Sequence, residues 1–290
     1  MGKLQIPCCI PQTSDTMWSF LLCIKQVSGK QTNINHIKES QHTVIVVKMS
    51  VYLFTENMLD YPEVKKNVSH TPEKELEEFL KLTLQSKQEL DGLKAEHYVH
   101  LIPKAIKINE EERSTLKISA KLFMNVPNEM KIYKAFNEAL QSLGFEKFDA
   151  AVVAWPHPKE QLFEVWPVAE NLVDDGLVSC LGVSDVETQT FVLLHEKSRL
   201  KPEIVQINLE ACCVVPPELA SFARANDIQL LTHNDPKELL PKKTIEEIAK
   251  STGCNWLKEF SLDWAVRYQA LVKCRGVLKA KGYVIKLVKD

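Results

Sequence analysis

The chain has 290 residues, 45% apolar and 26% charged, with 36 Lys and Arg against 38 Asp and Glu for a net charge of −2. That length holds one large domain or two medium ones, and the near-neutral balance gives no general pull toward nucleic acid or membrane surfaces. No apolar run reaches the ~18 residues of a membrane-spanning helix.

The amino-terminal segment differs from the rest. "MWSFLLCI" is short and follows Asp15 instead of a basic cluster, which argues against a secretory signal. Ile6 stands where a myristoylation pattern needs Ser or Thr. Residues 1–48 hold three of the eight cysteines and a polar middle, and no period persists before Thr43–Val47. Residues 1–42 are therefore expected to be a disordered extension, and 43–290 one folded domain. Met49 opens a segment with the composition of a domain start, which suggests internal initiation; N-terminal mass spectrometry of the cellular protein tests it. The eight cysteines show no CxxC spacing, so they read as reduced thiols of a cytoplasmic protein, with no metal site.

From about residue 43 strands and helices alternate. "TVIVVKMSVYLF" reads as a first strand region. "TPEKELEEFLKLTLQSKQEL" is a helix, with Thr71 as N-cap, Pro72 at the first position, and Leu76, Phe79, Leu80 and Leu84 on one face. "HYVHLIPKAIKI" is strand-like with a break at Pro103, and "LKISAKLF" is a strand. "MKIYKAFNEALQSLG" is a helix closed by Gly144. "DAAVVAW" has the continuous apolar character of a strand covered on both faces. The helix "VWPVAENLVDDG", the strand "LVSCLGVS", the helix "VETQTFVLLHEKS" and the strand "EIVQINL" follow. Then come a helix after Pro216, the strand "IQLLTH", two segments read as helices ("TIEEIAKST" and "LDWAVRYQALV") and a final "GYVIKLV".

This alternation argues for parallel βαβ units. A closed (β/α)8 TIM barrel takes ~250 residues, close to the length left after the extension. An open doubly wound sheet is the alternative, although no GxGxxG comes after any strand. In a barrel, functional groups sit at the C-terminal strand ends. Those are Lys121, Trp155 with His157, Ser184 with Asp185, Gln206 with Asn208, and His233 with Asn234 and Asp235. The competing explanation is that strand ends are simply wetter than strand middles.

"KISAKLF", "DAAVVAWPHP", "LVSCLGVSD" and "PEIVQINL" resemble successive strand motifs of the aldo-keto reductase family. The resemblance implies an α/β barrel of that type and places Lys121 at the catalytic lysine. Trp155-Pro156 matches the family's Trp-Pro, Gly182-Val183-Ser184 its Gly-Val-Ser with Asp185 replacing Asn, and Gln206 its glutamine. Two departures matter. Ala154 stands where the reductases keep a histidine, and no tyrosine between Met49 and Lys121 lies five residues after an aspartate. Carbonyl reduction needs a proton donor beside the carbonyl oxygen, so Lys121 reads as vestigial and no residue as catalytic. "KCRGVLK" resembles the run that holds the NADPH 2′-phosphate, with Lys273 and Lys279 as its cations. A solvated, partner-facing basic surface is the other explanation.

The segments "QINLEACCVVPPELASFARANDIQLLTHNDPKELL" and "RYQALVKCRGVLKAKGY" are similar to the regulatory (modifier) subunit family of glutamate–cysteine ligase. That resemblance implies a non-catalytic chain, without a cofactor of its own, that binds the catalytic subunit as a heterodimer in glutathione biosynthesis. It implies a lowered KM for glutamate and relief of glutathione feedback inhibition; NADPH binding or NADPH-dependent reduction is the alternative. The interface candidates are Cys212, Cys213, His233, Asn234, Asp235, Lys237, Glu238 and Arg275. The vicinal cysteines are candidates for a mixed disulfide, and Asp235 is equally readable as the N-cap of a helix opened by Pro236.

Overall fold

The computed structural model describes residues 50–55, 57–61, 71–85, 99–101, 108, 110–209 and 214–290. By compactness the chain divides into Met1–Val46 and Val47–Asp290, and all described residues belong to the second unit. The expectations for residues 1–42, Thr43–Met49, the Pro103 break and Cys212–Cys213 lie outside the described residues.

In chain order the elements are β1 (Ser50–Phe54), α1 (Pro72–Gln85), β2 (Val99–Leu101), α2 (Glu110–Thr115), β3 (Leu116–Met124), α3 (Glu129–Leu143), β4 (Ala150–Ala154) and α4 (Lys159–Asp174). There follow β5 (Leu181–Ser184), α5 (Thr188–Lys197), β6 (Ile204–Asn208), α6 (Pro217–Ala225), β7 (Gln229–His233), α7 (Lys242–Thr252), β8 (Phe260–Val272) and β9 (Val277–Lys289).

Local chemistry sets the start of α1 and both ends of α3. The Thr71 hydroxyl accepts the Lys74 N–H at 3.5 Å ahead of Pro72. The Asn128 side chain accepts from Met130 N at 2.9 Å to open α3. Gly144, at φ 70°, closes α3 in the left-handed conformation that a side chain resists.

The strands form one sheet in the order β2-β1-β9-β8-β3-β4-β5-β6-β7. β3 to β7 run parallel, each paired with the next, and deliver the expected βα alternation. The C-terminal segment makes the sheet mixed. "LDWAVRYQALV", read from the sequence as helical, is most of the thirteen-residue strand β8. β8 pairs antiparallel with β3 and β9, and β9 antiparallel with β1. The hairpin thus bridges the β1–β2 pair and the parallel run.

The two sheet faces are covered differently. One face packs Leu122, Val153, Val183 and Val205 under α3, α4 and α5, with Phe136, Trp166 and Phe191 among the residues filling that layer. The other face packs Leu53, Phe123, Ala265 and Ile285 against Leu76 and Phe79 of α1 and Ile245 and Ile248 of α7. Alternation along β3 puts Lys121 on this second face with Phe123.

Candidate functional site

Lys121 lies directly across from Arg267 in the β3–β8 register, and Arg267 across from Tyr283 in the β8–β9 register. Three strands therefore carry a lysine, an arginine and a tyrosine side by side. His233 ends β7, and Asp235 comes two residues later. Asp185 comes directly after β5 in a left-handed conformation, φ 65°, strained for a residue with a side chain but tolerated by Asp.

These groups converge. Lys121 Nζ is 2.9 Å from Asp235 Oδ2 and 3.9 Å from Asp185 Oδ2. Arg267 grips both Asp235 oxygens, Nη2 donating to Oδ2 at 2.9 Å and Nη1 to Oδ1. His233 stands between the two carboxylates, with Nδ1 3.3 Å from Asp235 Oδ2 and Nε2 3.2 Å from Asp185 Oδ1. The Nε2 approach lacks the alignment of a hydrogen bond and is ionic only when the ring is protonated. The Asp235 N–H points at Nδ1, 3.2 Å away, the Ser184 hydroxyl donates to Asp185 at 2.7 Å, and Asn208 Nδ2 donates to the Asp235 carbonyl at 2.8 Å.

The centre of the cluster is shut off from water, Lys121 being 4% exposed and Asp235 2%, while Asp185 reaches the cleft beside it. Burial lowers the Lys121 pKa below its ordinary 10.5, against the pull of Asp235 and Asp185. Burial alone would raise Asp235, but hydrogen bonds from His233 and Arg267 and the two cations hold it well below the carboxylate range. Asp185 is lowered in the same way: burial opposes its charge, and His233, Lys121 and Ser184 outweigh it. Burial also opposes the charge on His233, yet its two carboxylate partners leave its pKa above 6.5. Arg267 stays a cation despite burial, held up by Tyr283 and Asp235. With His233 neutral the cluster balances two carboxylates against two cations, the arrangement in which buried charges are tolerated.

Proton donation toward Lys121 is poorly served. Burial pushes the Tyr283 phenol upward in pKa, and it lies beside Arg267 without a hydrogen-bond alignment. Two inter-strand steps, about 10 Å, separate the Lys121 and Tyr283 backbones. His157 turns away to the Met124 carbonyl, 3.0 Å from Nε2.

Beside the cluster, at the C-terminal ends of β4, β5 and β6, lies a cleft of about 830 Å³, with Trp155, His157, Asp185, Gln206, Asn208 and Lys237 among its walls. Gln206 Oε1 is buried there without a hydrogen-bond partner among the described residues. A dinucleotide would need cations for its phosphates as well. Lys273 and Lys279, expected from the sequence to hold one, are at the other end of the sheet. The β8–β9 turn sits at the start of β3, where Leu116 pairs with Val272, ~26 Å of strand from the cleft. There Lys273 Nζ donates to the Ser114 carbonyl at 3.0 Å, and Lys279 pairs with Glu112. An orphaned amide oxygen suits a donor on the ligand, but Lys273 and Lys279 do not reach the cleft.

The interface candidates divide likewise. Asn234, Lys237 and Glu238 are exposed at the cleft end and Arg275 at the hairpin end, while His233 and Asp235 are consumed by the cluster. Asp235 caps no helix. The residues after it form a bend, and α7 begins only after Pro241. Arg267 and Tyr283 were not legible as site residues, because a helix over "LDWAVRYQALV" puts Arg267 on an outer surface. The signal was a period of two: Trp264, Val266, Tyr268, Ala270 and Val272 all face one layer.

The pattern of the Aldo/keto reductase family matches residues 94–236. An aldo/keto reductase from Brucella melitensis is similar at 27% identity and a TM-score of 0.35, over 47% of this chain and about half, 52%, of that one. The glutamate–cysteine ligase regulatory subunit of Homo sapiens is 32% identical over 252 residues, 82% of this chain and 92% of its own length. That of Bos taurus is 34% identical over 255 residues, with the same shares. The chain belongs to the glutamate–cysteine ligase regulatory subunit family. This regulatory-subunit relative has the α/β fold of aldo-keto reductase type. At the end of its β4, Ala154 is buried against the α1–α7 side of the core. No helix among its described residues is long and apolar enough to cross a membrane.

Proposed function

We propose that the chain is a non-catalytic, cytoplasmic regulatory subunit that forms a heterodimer with the catalytic subunit of glutamate–cysteine ligase. In that role it lowers the KM for glutamate and relieves feedback inhibition by glutathione. The observation that carries the reading is the closed cluster: Lys121, the amine a reductase would use, is bound to Asp235 and walled off beside Arg267. A regulator needs no chemistry of its own. It must bind the high-affinity form of the catalytic chain better than the low-affinity form. A tenfold change in affinity requires only about 1.4 kcal/mol of such difference.

The test is co-purification with the catalytic subunit and then glutamate kinetics with and without this chain. A lower KM on mixing is expected, with no turnover of NADPH and aldehydes by the chain alone. An unchanged KM, or an aldehyde reductase activity that disappears in Lys121→Met, would reject the reading.

A further inference from the structure

The segment after β7 is pinned over the buried cluster. Leu239 and Leu240 sink into the core layer that holds Phe123 and Ala154, and Asn208 holds the Asp235 carbonyl. Between these anchors the Asp235 side chain enters a nest built by other elements. Lys121 and Arg267 are fixed as direct neighbours on β3 and β8, and His233 by the end of β7. The guanidinium fork takes both oxygens of the carboxylate, with the lysine and imidazole on the same Oδ2. Planar bidentate pairing with a second cation alongside is how proteins recognise a carboxylate ligand. Here the receptor is carried on strands and the carboxylate on a turn. Asp185 does not fill the place, being held by Ser184 and lying 3.9 Å from Lys121.

We propose that Lys121, Arg267 and His233 form a carboxylate-binding site whose resident ligand is the chain's own Asp235, and that a free carboxylate occupies the site once that side chain is removed. The surroundings set the size of the ligand. The void next to the nest, bordered by Phe123, Asp185, Pro236 and Leu239, measures only about 10 Å³, at most one water's worth. Asp235→Ala takes away the carboxylate and keeps Cβ, which leaves room for formate; acetate carries a methyl where Cβ stands, so it and anything larger require the segment after β7 to lift.

The experiment uses the full chain carrying Asp235→Ala and needs no partner, so its outcome is separate from that of the regulatory reading. Urea unfolding is measured in sodium formate and in sodium chloride of equal ionic strength, with wild type reporting the general effect of the salt on the fold. Beyond that reference the folding constant of Asp235→Ala should climb with formate, about tenfold per decade above the dissociation constant. Adding Arg267→Gln to Asp235→Ala should abolish the excess. Where Asp235→Ala does not fold in chloride, refolding by dilution from urea gives the same readout as the folded fraction recovered in formate against chloride. No formate gain beyond that of wild type, or a gain that survives Arg267→Gln, overturns the proposal.

Discussion

His233 is held between two carboxylates and faces one ammonium, so its protonation feeds directly into stability. Its pKa in the folded chain is raised above 6.5. A raised base contributes stability that is fully present below its unfolded value and lost as pH rises through its folded value. Asp235 and Asp185 have the opposite sign. Their folded values lie below 3.8, so their contribution is present above 3.8 and lost as pH falls through the folded values. Lys121, lowered from 10.5, works against the histidine. The quantity that isolates the imidazole is therefore the difference in urea-unfolding free energy between wild type and His233→Gln. That difference should be largest below pH 6.5 and shrink as pH rises above it. A difference that stays flat across this window would mean that the imidazole does not gain protons on folding.

At the scale of elements, the parallel run was the most legible part. The helix over "MKIYKAFNEALQSLG" and its Gly144 stop, and the strands around Ala150–Ala154 and Leu181–Ser184, are set by apolar period and cap chemistry visible in the letters. Lys121 and the strand-end residues were legible for the same reason. The hairpin was not, because ten- to thirteen-residue apolar segments suit both helix and strand. Only the partner decides. β8 is flanked by β3 and β9 along its edges and covered on its two faces by the two core layers. Arg267, and with it the fork that holds Asp235, was lost along with that assignment. A tight contact inside the hairpin offers a check on its geometry. Gly282 faces Tyr268 across the β8–β9 pair, and a Cβ there would approach Thr55 Oγ1 to 2.8 Å. Thr55 in turn accepts the Tyr283 N–H at 2.7 Å, tying the turn after β1 to β9. Gly282→Ala should therefore destabilise the chain by about 1–3 kcal/mol, the usual cost of overpacking, measured as a lower urea midpoint at unchanged m-value. A neutral result would mean that the three strands are farther apart than described.

At the scale of the whole molecule, the proposed regulatory role requires one end of the fold to meet a catalytic chain. The parallel strands give the fold two distinct ends, and the exposed large apolar side chains among the described residues are distributed unevenly between them. Val126 and Met130 leave the end of β3, and Leu209 and Val214 come after β6, all at the cleft end; Val277, at the hairpin turn, marks the other. Met130 is 75% exposed and Val214 71%. Apolar side chains gathered at one end of a fold are the raw material of a docking surface when they form one patch. Asn234, Lys237 and Glu238 supply a polar rim at that same end, which is the anatomy of a protein interface. We therefore expect the catalytic subunit to dock over the cleft end, away from the hairpin turn. Met130→Asp and Val214→Asp should each weaken association by about tenfold or more, the penalty for placing an unpaired charge in a desolvated contact. Val277→Asp should leave association unchanged. Titration of the catalytic subunit with each variant, read as the concentration that gives half the change in glutamate KM, measures this directly. Because all three positions are already exposed, folding should survive in each, so a loss confined to Val277→Asp would move the interface to the hairpin end.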